Sequence, residues 1–279
     1  YKQTDQFRYL HSDFLLSDFK FIFFWEWFHR FWARLLGIVF IAGFTWFIWK
    51  KKFKQEMIIP LIILFLLGAL QGAIGWIMVK SGLVPEKYFV GHVELATHFV
   101  AALGLLVYTL WFALRLLVPE QQSIQSPALK KFTVALLLLL FVQLCYGGFM
   151  AGLRAATVAP TWPTINGEWF PASLFNERGP ANLVNNPFMV HFIHRGLAYL
   201  IVILIIGWFI SIQKTALSPW LHKTKILPLV LVLAQVLLGI CTVLYSASAT
   251  ALVWFGVLHQ FTAMLLLVSL VWVLYLVRK

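Results

Sequence analysis

Seven stretches of this chain are apolar for at least the length a helix needs to cross a bilayer, and no other feature restricts the fold more. They run over residues 19–49, 57–79, 90–118, 129–153, 188–212, 226–245 and 251–276. A membrane-spanning helix takes about 20 apolar residues. Lipid offers no partners to backbone N–H and C=O groups, so such runs have to be helical. Composition agrees: 61% of the 279 residues are hydrophobic and 11% are charged, against roughly 45–50% and 25% in soluble domains. Neither of the two Cys, Cys145 and Cys241, stands in a CxxC pattern, and both fall in apolar runs. They read as small core residues, and a disulfide scaffold is excluded. The fold class is an all-α integral membrane protein.

A net charge of +12 could point to nucleic acid, but the positions of the charges exclude it. Lys50, Lys51, Lys52 and Lys54 follow the first run; Arg115, Lys130 and Lys131 flank the third connection. Lys214, Lys223 and Lys225 fill the fifth connection, and Arg278 and Lys279 end the chain. The alternate connections are mixed or uncharged: Lys80, Glu86 and Lys87; then Arg154, Glu168, Glu177 and Arg178; then none in 246–250. The positive-inside rule puts the basic set, and the C-terminus with it, on the cytoplasmic or matrix side.

The chain also repeats itself. With His29-Arg30 set against His194-Arg195, Gln71-x-x-x-Gly75 meets Gln235-x-x-x-Gly239, His98 meets His259 and Trp111 meets Trp272. The steps are 42, 27 and 13 residues in one copy and 41, 24 and 13 in the other. Four landmarks in one order at near-equal spacing mark a duplication. The second copy has one span more, 129–153, followed by a loop of about 34 residues. The repeat therefore predicts an eighth span ahead of Tyr1, giving two pseudo-twofold four-helix bundles in tandem. Their boundaries are 1–118 and 129–279.

Of eight His, four sit at the repeated positions: His29, His98, His194 and His259. Each lies about two turns inside the outer end of its helix, at 1.5 Å per residue. Ionisable groups at membrane depth are costly and mark functional sites. Two facing imidazoles in an apolar bundle suit heme iron with two axial His, because the macrocycle fills the slot between helices. Zinc requires further N, S or O ligands, and only the first copy offers a carboxylate. A single membrane His would read as an interhelical hydrogen bond; four at duplicated spacing favour heme. Arg30 and Arg195 are candidates for heme propionates, with snorkelling to lipid headgroups as the alternative.

The copies differ chemically. Glu26 stands one turn before His29, where the second copy has His191. A residue at i−3 shares the helix face, so Glu26 is a candidate acid, base or cation stabiliser; the alternative is an interfacial partner for Arg30. His191 is a repeat relic or an interfacial donor. Gln71/Gly75 and Gln235/Gly239 read as helix packing with a polar tie. His11, His92 and His222 carry no assignment.

On these residues the chain resembles the heme A synthase family, most closely its proteobacterial and mitochondrial branch. The motifs are EWFHR at 26–30, LQGAIGWIMVKSGL at 70–83, LATH at 95–98, GGFMAGLRA at 147–155, TWPTINGEWFP at 161–171, HFIHR at 191–195 and LHQ at 258–260. The resemblance implies an enzyme that oxidises the methyl group of heme O to a formyl group, giving heme A for cytochrome oxidase, with water as the oxygen source. It implies heme b as cofactor between His194 and His259, heme O or heme A at His29 and His98, and Glu26 as the catalytic carboxylate. Implied partners are heme O synthase, cytochrome oxidase assembly factors, the lipid bilayer and a second copy of the chain. The implied place is the bacterial cytoplasmic or mitochondrial inner membrane. The family's first helix and outer loop would precede Tyr1. The outer-loop Cys pair of some members is absent between Asp5 and Asp18 and between Arg154 and Pro187. The His pattern alone also fits a di-heme b-type electron-transfer cytochrome or a heme carrier. Glu26, present in one copy, favours chemistry.

Overall fold

The computed structural model describes residues 1–278 apart from Leu83, Pro85, Glu86 and Glu177. Leu83, Glu86, Glu177 and Lys279, which entered the motif and charge readings above, thus lie outside the described residues. Among those described, seven helices are long and apolar enough to cross a membrane. They are α1 (Leu16–Trp49), α2 (Gln55–Ser81), α3 (His92–Leu117), α4 (Pro127–Gly152), α5 (Pro187–Ile212), α6 (Leu227–Leu244) and α7 (Ala249–Leu276). Each apolar run becomes one helix, within three residues at either end.

The helix starts follow local chemistry. Pro127 and Pro187 open α4 and α5, where the missing N–H is no loss. Asn186 caps α5 by accepting from Phe188 N at 3.0 Å, and Ser248 caps α7 by accepting from Ala251 N at 3.3 Å. Asp18 folds back to accept from Leu15 N at 2.9 Å ahead of α1.

The chain forms two compact units, Tyr1–Glu94 and Leu95–Lys279. In the first, α1 and α2 carry no buried residue. Stacked rings hold them together, Phe40 on Phe65 at 5.7 Å and Phe40 on Phe44 at 5.9 Å. Lys50 lies over the Trp49 ring at 4.3 Å and Lys80 over Trp76 at 3.9 Å. Such cation–π anchors suit helix ends at a membrane interface.

The second unit is a packed bundle. Leu136, Leu140 and Leu144 on α4 meet Ile201, Ile205, Trp208 and Ile212 on α5, with Leu266, Leu270 and Val273 on α7. The three- and four-residue steps are the helical period, so one stripe of each helix is spent on the core. Trp208 is fully buried, and its indole N–H donates to Thr133 Oγ1 at 3.0 Å. Thr133 in turn donates to Leu129 O at 2.8 Å. A buried indole without such a partner would cost about 1–3 kcal/mol. Gly148 permits a close α3–α4 crossing: a Cβ there would stand 2.7 Å from Ala96 Cα.

The described residues between α4 and α5 form a hydrogen-bonded loop. Ile165 and Glu168 pair as an isolated bridge across Asn166-Gly167, both at positive φ (52° and 93°). Asn-Gly is the pair that turn geometry favours. Asn182 and Asn186 donate to Leu174 O and Ser173 O at 2.8 and 2.9 Å and close the loop onto the start of α5. Ser246 donates to Ala156 O at 3.1 Å and ties the loop to the turn after α6.

Candidate functional site

The second unit encloses a cavity of about 730 Å³ whose wall includes His98, His194 and His259. This lies within the roughly 300–1,000 Å³ of cofactor and ligand sites. Its remaining lining is mainly aliphatic, with Leu140, Leu144, Val232, Val236, Ile240 and Leu266 among it. α5 and α7 bring His194 and His259 face to edge, with ring centres 6.3 Å apart and planes at 66°.

Each imidazole is held by a different neighbouring helix through the same device. His259 Nδ1–H donates to the Gln235 carbonyl at 3.0 Å, and the Gln235 side-chain amide donates to His259 Nε2 at 3.1 Å. One turn on, a Cβ at residue 239 would stand 3.0 Å from His259 Cε1. A side chain there would force the His259 ring to shift. The second cradle repeats the pattern more loosely. The Gln143 amide donates to His194 Nε2 at 3.3 Å, and a Cβ at residue 147 would lie 3.6 Å from His194 Cε1. His194 Nδ1 is buried without a hydrogen-bond partner.

Gln143 and Gly147 are contacts of His194 that repeat spacing alone does not find. The outer loop puts 51 residues between Gln143 and His194, against 24 between Gln235 and His259. The signal is the shared Gln-x-x-x-Gly string on the preceding span. The polar tie expected at Gln235 is present, and its partner is the histidine itself.

Arg195 is bound to the protein on every side. Its Nε donates to His191 Nε2 at 2.9 Å. Nη1 donates to Pro163 O and Thr164 O at 3.2 and 3.0 Å, and Nη2 to Ala159 O and Thr161 O at 3.4 and 2.6 Å. A guanidinium has five N–H groups, and here all five have protein acceptors. Arg195, which lines the cavity, clasps the loop between α4 and α5. His191, 1% exposed, is the buried acceptor that fixes the clasp. The loop adds Trp162, whose indole donates to Tyr199 OH at 3.1 Å; both residues line the cavity.

The first unit carries the carboxylate. Glu26 and Arg30 pair on α1 at 2.6 Å, one turn apart, with 60% and 51% of their side chains exposed. The interfacial pairing read as the alternative above is thus present in this unit. His29 is exposed on the same helix. His98 is half-buried on α3 of the second unit.

The donor set of the second unit fits heme. Two imidazoles that share one metal ion, each with a nitrogen–metal bond of about 2.0–2.1 Å, have ring centres roughly 6 Å apart. The Nδ1–H contact at His259 leaves the lone pair on Nε2, the tautomer that ligation through Nε2 requires. Among the described residues no three His, Cys, Asp or Glu side chains gather as a metal site, so a zinc-type ligand set is not formed. An iron whose equatorial ligands come from a macrocycle needs only the two axial groups that this site offers.

Comparison with known proteins agrees with this chemistry. Residues 1–271 match the COX15-CtaA family, described as cytochrome oxidase assembly protein. The chain is 38% identical over 273 residues to the heme A synthase of Flavobacterium psychrophilum, covering 97% of this chain and 79% of that protein. It is 38% identical to the Novosphingobium aromaticivorans heme A synthase, covering 98% and 77%. With the Rhodopseudomonas palustris (strain TIE-1) enzyme the identity is 41%, covering 88% and 67%. The chain belongs to the cytochrome oxidase assembly protein family whose curated members include the heme A synthases.

Proposed function

We propose that this chain is a heme A synthase that oxidises the methyl group of heme O to a formyl group, using water as the oxygen source. The observation that carries the reading is the half-buried His194–His259 pair, cradled from two helices in an apolar cavity. Membership of a family whose relatives are heme A synthases supports this reading. Heme b is the cofactor held by His194 and His259, and when bound it supplies one-electron redox chemistry in a low-dielectric site.

The residues divide the work. Gln235 O fixes the tautomer and orientation of His259. Arg195 and the outer loop limit water at the cavity mouth. By the family resemblance, His29 and His98 are the axial pair of the substrate heme, with Arg30 toward a propionate. Glu26 is then the carboxylate beside the reacting methyl carbon. It stabilises positive charge there or accepts a proton from the attacking water. Turning a methyl into a formyl consumes one water and releases four protons and four electrons, so the reaction requires a proton acceptor at the site and an external electron acceptor that takes up the four electrons. Exchange of Arg30 for the substrate as the partner of Glu26 is part of this reading.

The two repeats, 1–118 and 129–279, act as a substrate half and a cofactor half. The enzyme sits in the bacterial cytoplasmic membrane or its mitochondrial counterpart, with the C-terminus on the cytoplasmic or matrix side. It meets heme O synthase and cytochrome oxidase assembly factors there, and a second copy of itself.

Supplying heme O to the purified protein and following heme A by chromatography tests the proposal. Formation of heme A and of the intermediate alcohol is the expected result. Heme uptake with reversible reduction but no altered heme would leave an electron-transfer cytochrome and overturn the enzymatic reading.

A further inference from the structure

In both cradles the glutamine side chain reaches the nitrogen that iron would take. Gln235 Nε2 is 3.1 Å from His259 Nε2, and Gln143 Nε2 is 3.3 Å from His194 Nε2. A neutral imidazole has a single lone pair. At His259 the proton is on Nδ1, given to Gln235 O at 3.0 Å, so the lone pair is on Nε2 and the amide N–H already occupies it. One lone pair cannot serve an amide hydrogen bond and an iron bond together.

The main-chain contact is different. It uses the opposite ring nitrogen, so it persists whichever partner Nε2 has. Gln235 therefore acts on His259 twice, with its carbonyl as an orienting group and its side chain as a competitor. The competitor is loosely anchored: Oε1 of Gln235 and of Gln143 is buried without any hydrogen-bond partner. Only the amide nitrogen holds each side chain in place by a polar contact to its histidine.

We infer that Gln143 and Gln235 are exchangeable caps on the two ligand nitrogens, positioning residues that occupy each imidazole lone pair and are displaced when heme b is ligated. The inference rests on reading His194 and His259 as heme ligands. Exchange breaks one N–H···N hydrogen bond and forms one Fe–N bond at each nitrogen. No proton moves at His259, because its Nδ1 already carries it. The cap tunes how tightly heme is held: strong enough to satisfy a buried nitrogen, weak enough to yield.

The test uses the purified chain in detergent micelles, titrated with heme b and followed by its Soret band. Gln235→Leu and Gln143→Leu remove the competing donor at similar volume and leave the backbone carbonyls in place. An ordinary intramolecular hydrogen bond is worth about 2- to 12-fold in an equilibrium constant. Each variant should therefore bind heme b about 2- to 12-fold more tightly, with unchanged low-spin spectra. A purely structural role for glutamine predicts weaker binding or a disturbed spectrum, and either, or an unchanged affinity, overturns the inference. Gln235→Ala and Gln143→Ala, checked for monodispersity and helix content, must move affinity in the same direction. The heme reading fails separately: it falls if the wild-type chain takes up no heme, or if His194→Ala and His259→Ala leave the bound spectrum unchanged.

Discussion

The acidic group on α1 and the histidine cradles of the second unit use the same residue types in opposite ways. On α1, Glu26, His29 and Arg30 are arranged by their own helix. The pairing at 2.6 Å is an i,i+4 contact, and both side chains are largely exposed. In the second unit, His194 and His259 are each held from a neighbouring helix and walled into an apolar cavity. A ligand to iron must keep one nitrogen aimed and dry, which only tertiary contacts achieve. A carboxylate that handles protons has to change partners, and a surface ion pair worth about 0–1 kcal/mol allows it. Under the proposed function, rigid ligation and labile acid–base chemistry would separate into different parts of the chain.

Removing both ligands tests the rigid side most severely. His194→Ala with His259→Ala should abolish the low-spin bis-imidazole spectrum of heme b altogether. Retention of full heme b content would place the cofactor elsewhere and dissolve the contrast.

Glu26→Gln tests the labile side. It should lower heme A formation by about 10²–10⁴-fold, the usual worth of one acid–base or charge-stabilising group, while heme b content stays normal. Heme O or its alcohol should accumulate in extracts separated by chromatography. If Glu26 does no more than pair with Arg30, heme A output will stay near wild type and stability will shift by less than about 1 kcal/mol.

The smallest and sharpest effect concerns the two cradles themselves. At residue 239 an added Cβ meets the His259 ring at 3.0 Å, so the ring must move. At residue 147 the gap of 3.6 Å is an ordinary contact. Gly239→Ala should cost about 1–3 kcal/mol in stability and weaken heme b binding. Gly147→Ala should be neutral or stabilise by up to about 1 kcal/mol, because alanine is the better helix former. Thermal unfolding and Soret titration of the pair measure both, and equal effects would show the cradles to be equivalent after all.

Much of this protein was legible one residue at a time. The seven spans follow from apolar run length, because unpaired backbone groups in lipid leave a helix as the only local solution. The repeated His positions and the placement of Glu26 one turn from His29 follow from counting along the chain. What lay out of reach is what depends on residues distant in sequence. Arg195 sits beside a candidate heme ligand, yet its guanidinium is taken by four carbonyls about 31 to 36 residues away and by His191. Gln143 lies 51 residues from the histidine it caps. Helix formation is a short-range hydrogen-bond and solvation problem, so sequence alone determines it. Which lone pair meets which donor is decided only when the helices pack, since a hydrogen bond is specified to a few tenths of an ångström and a sequence carries no such distance across a loop.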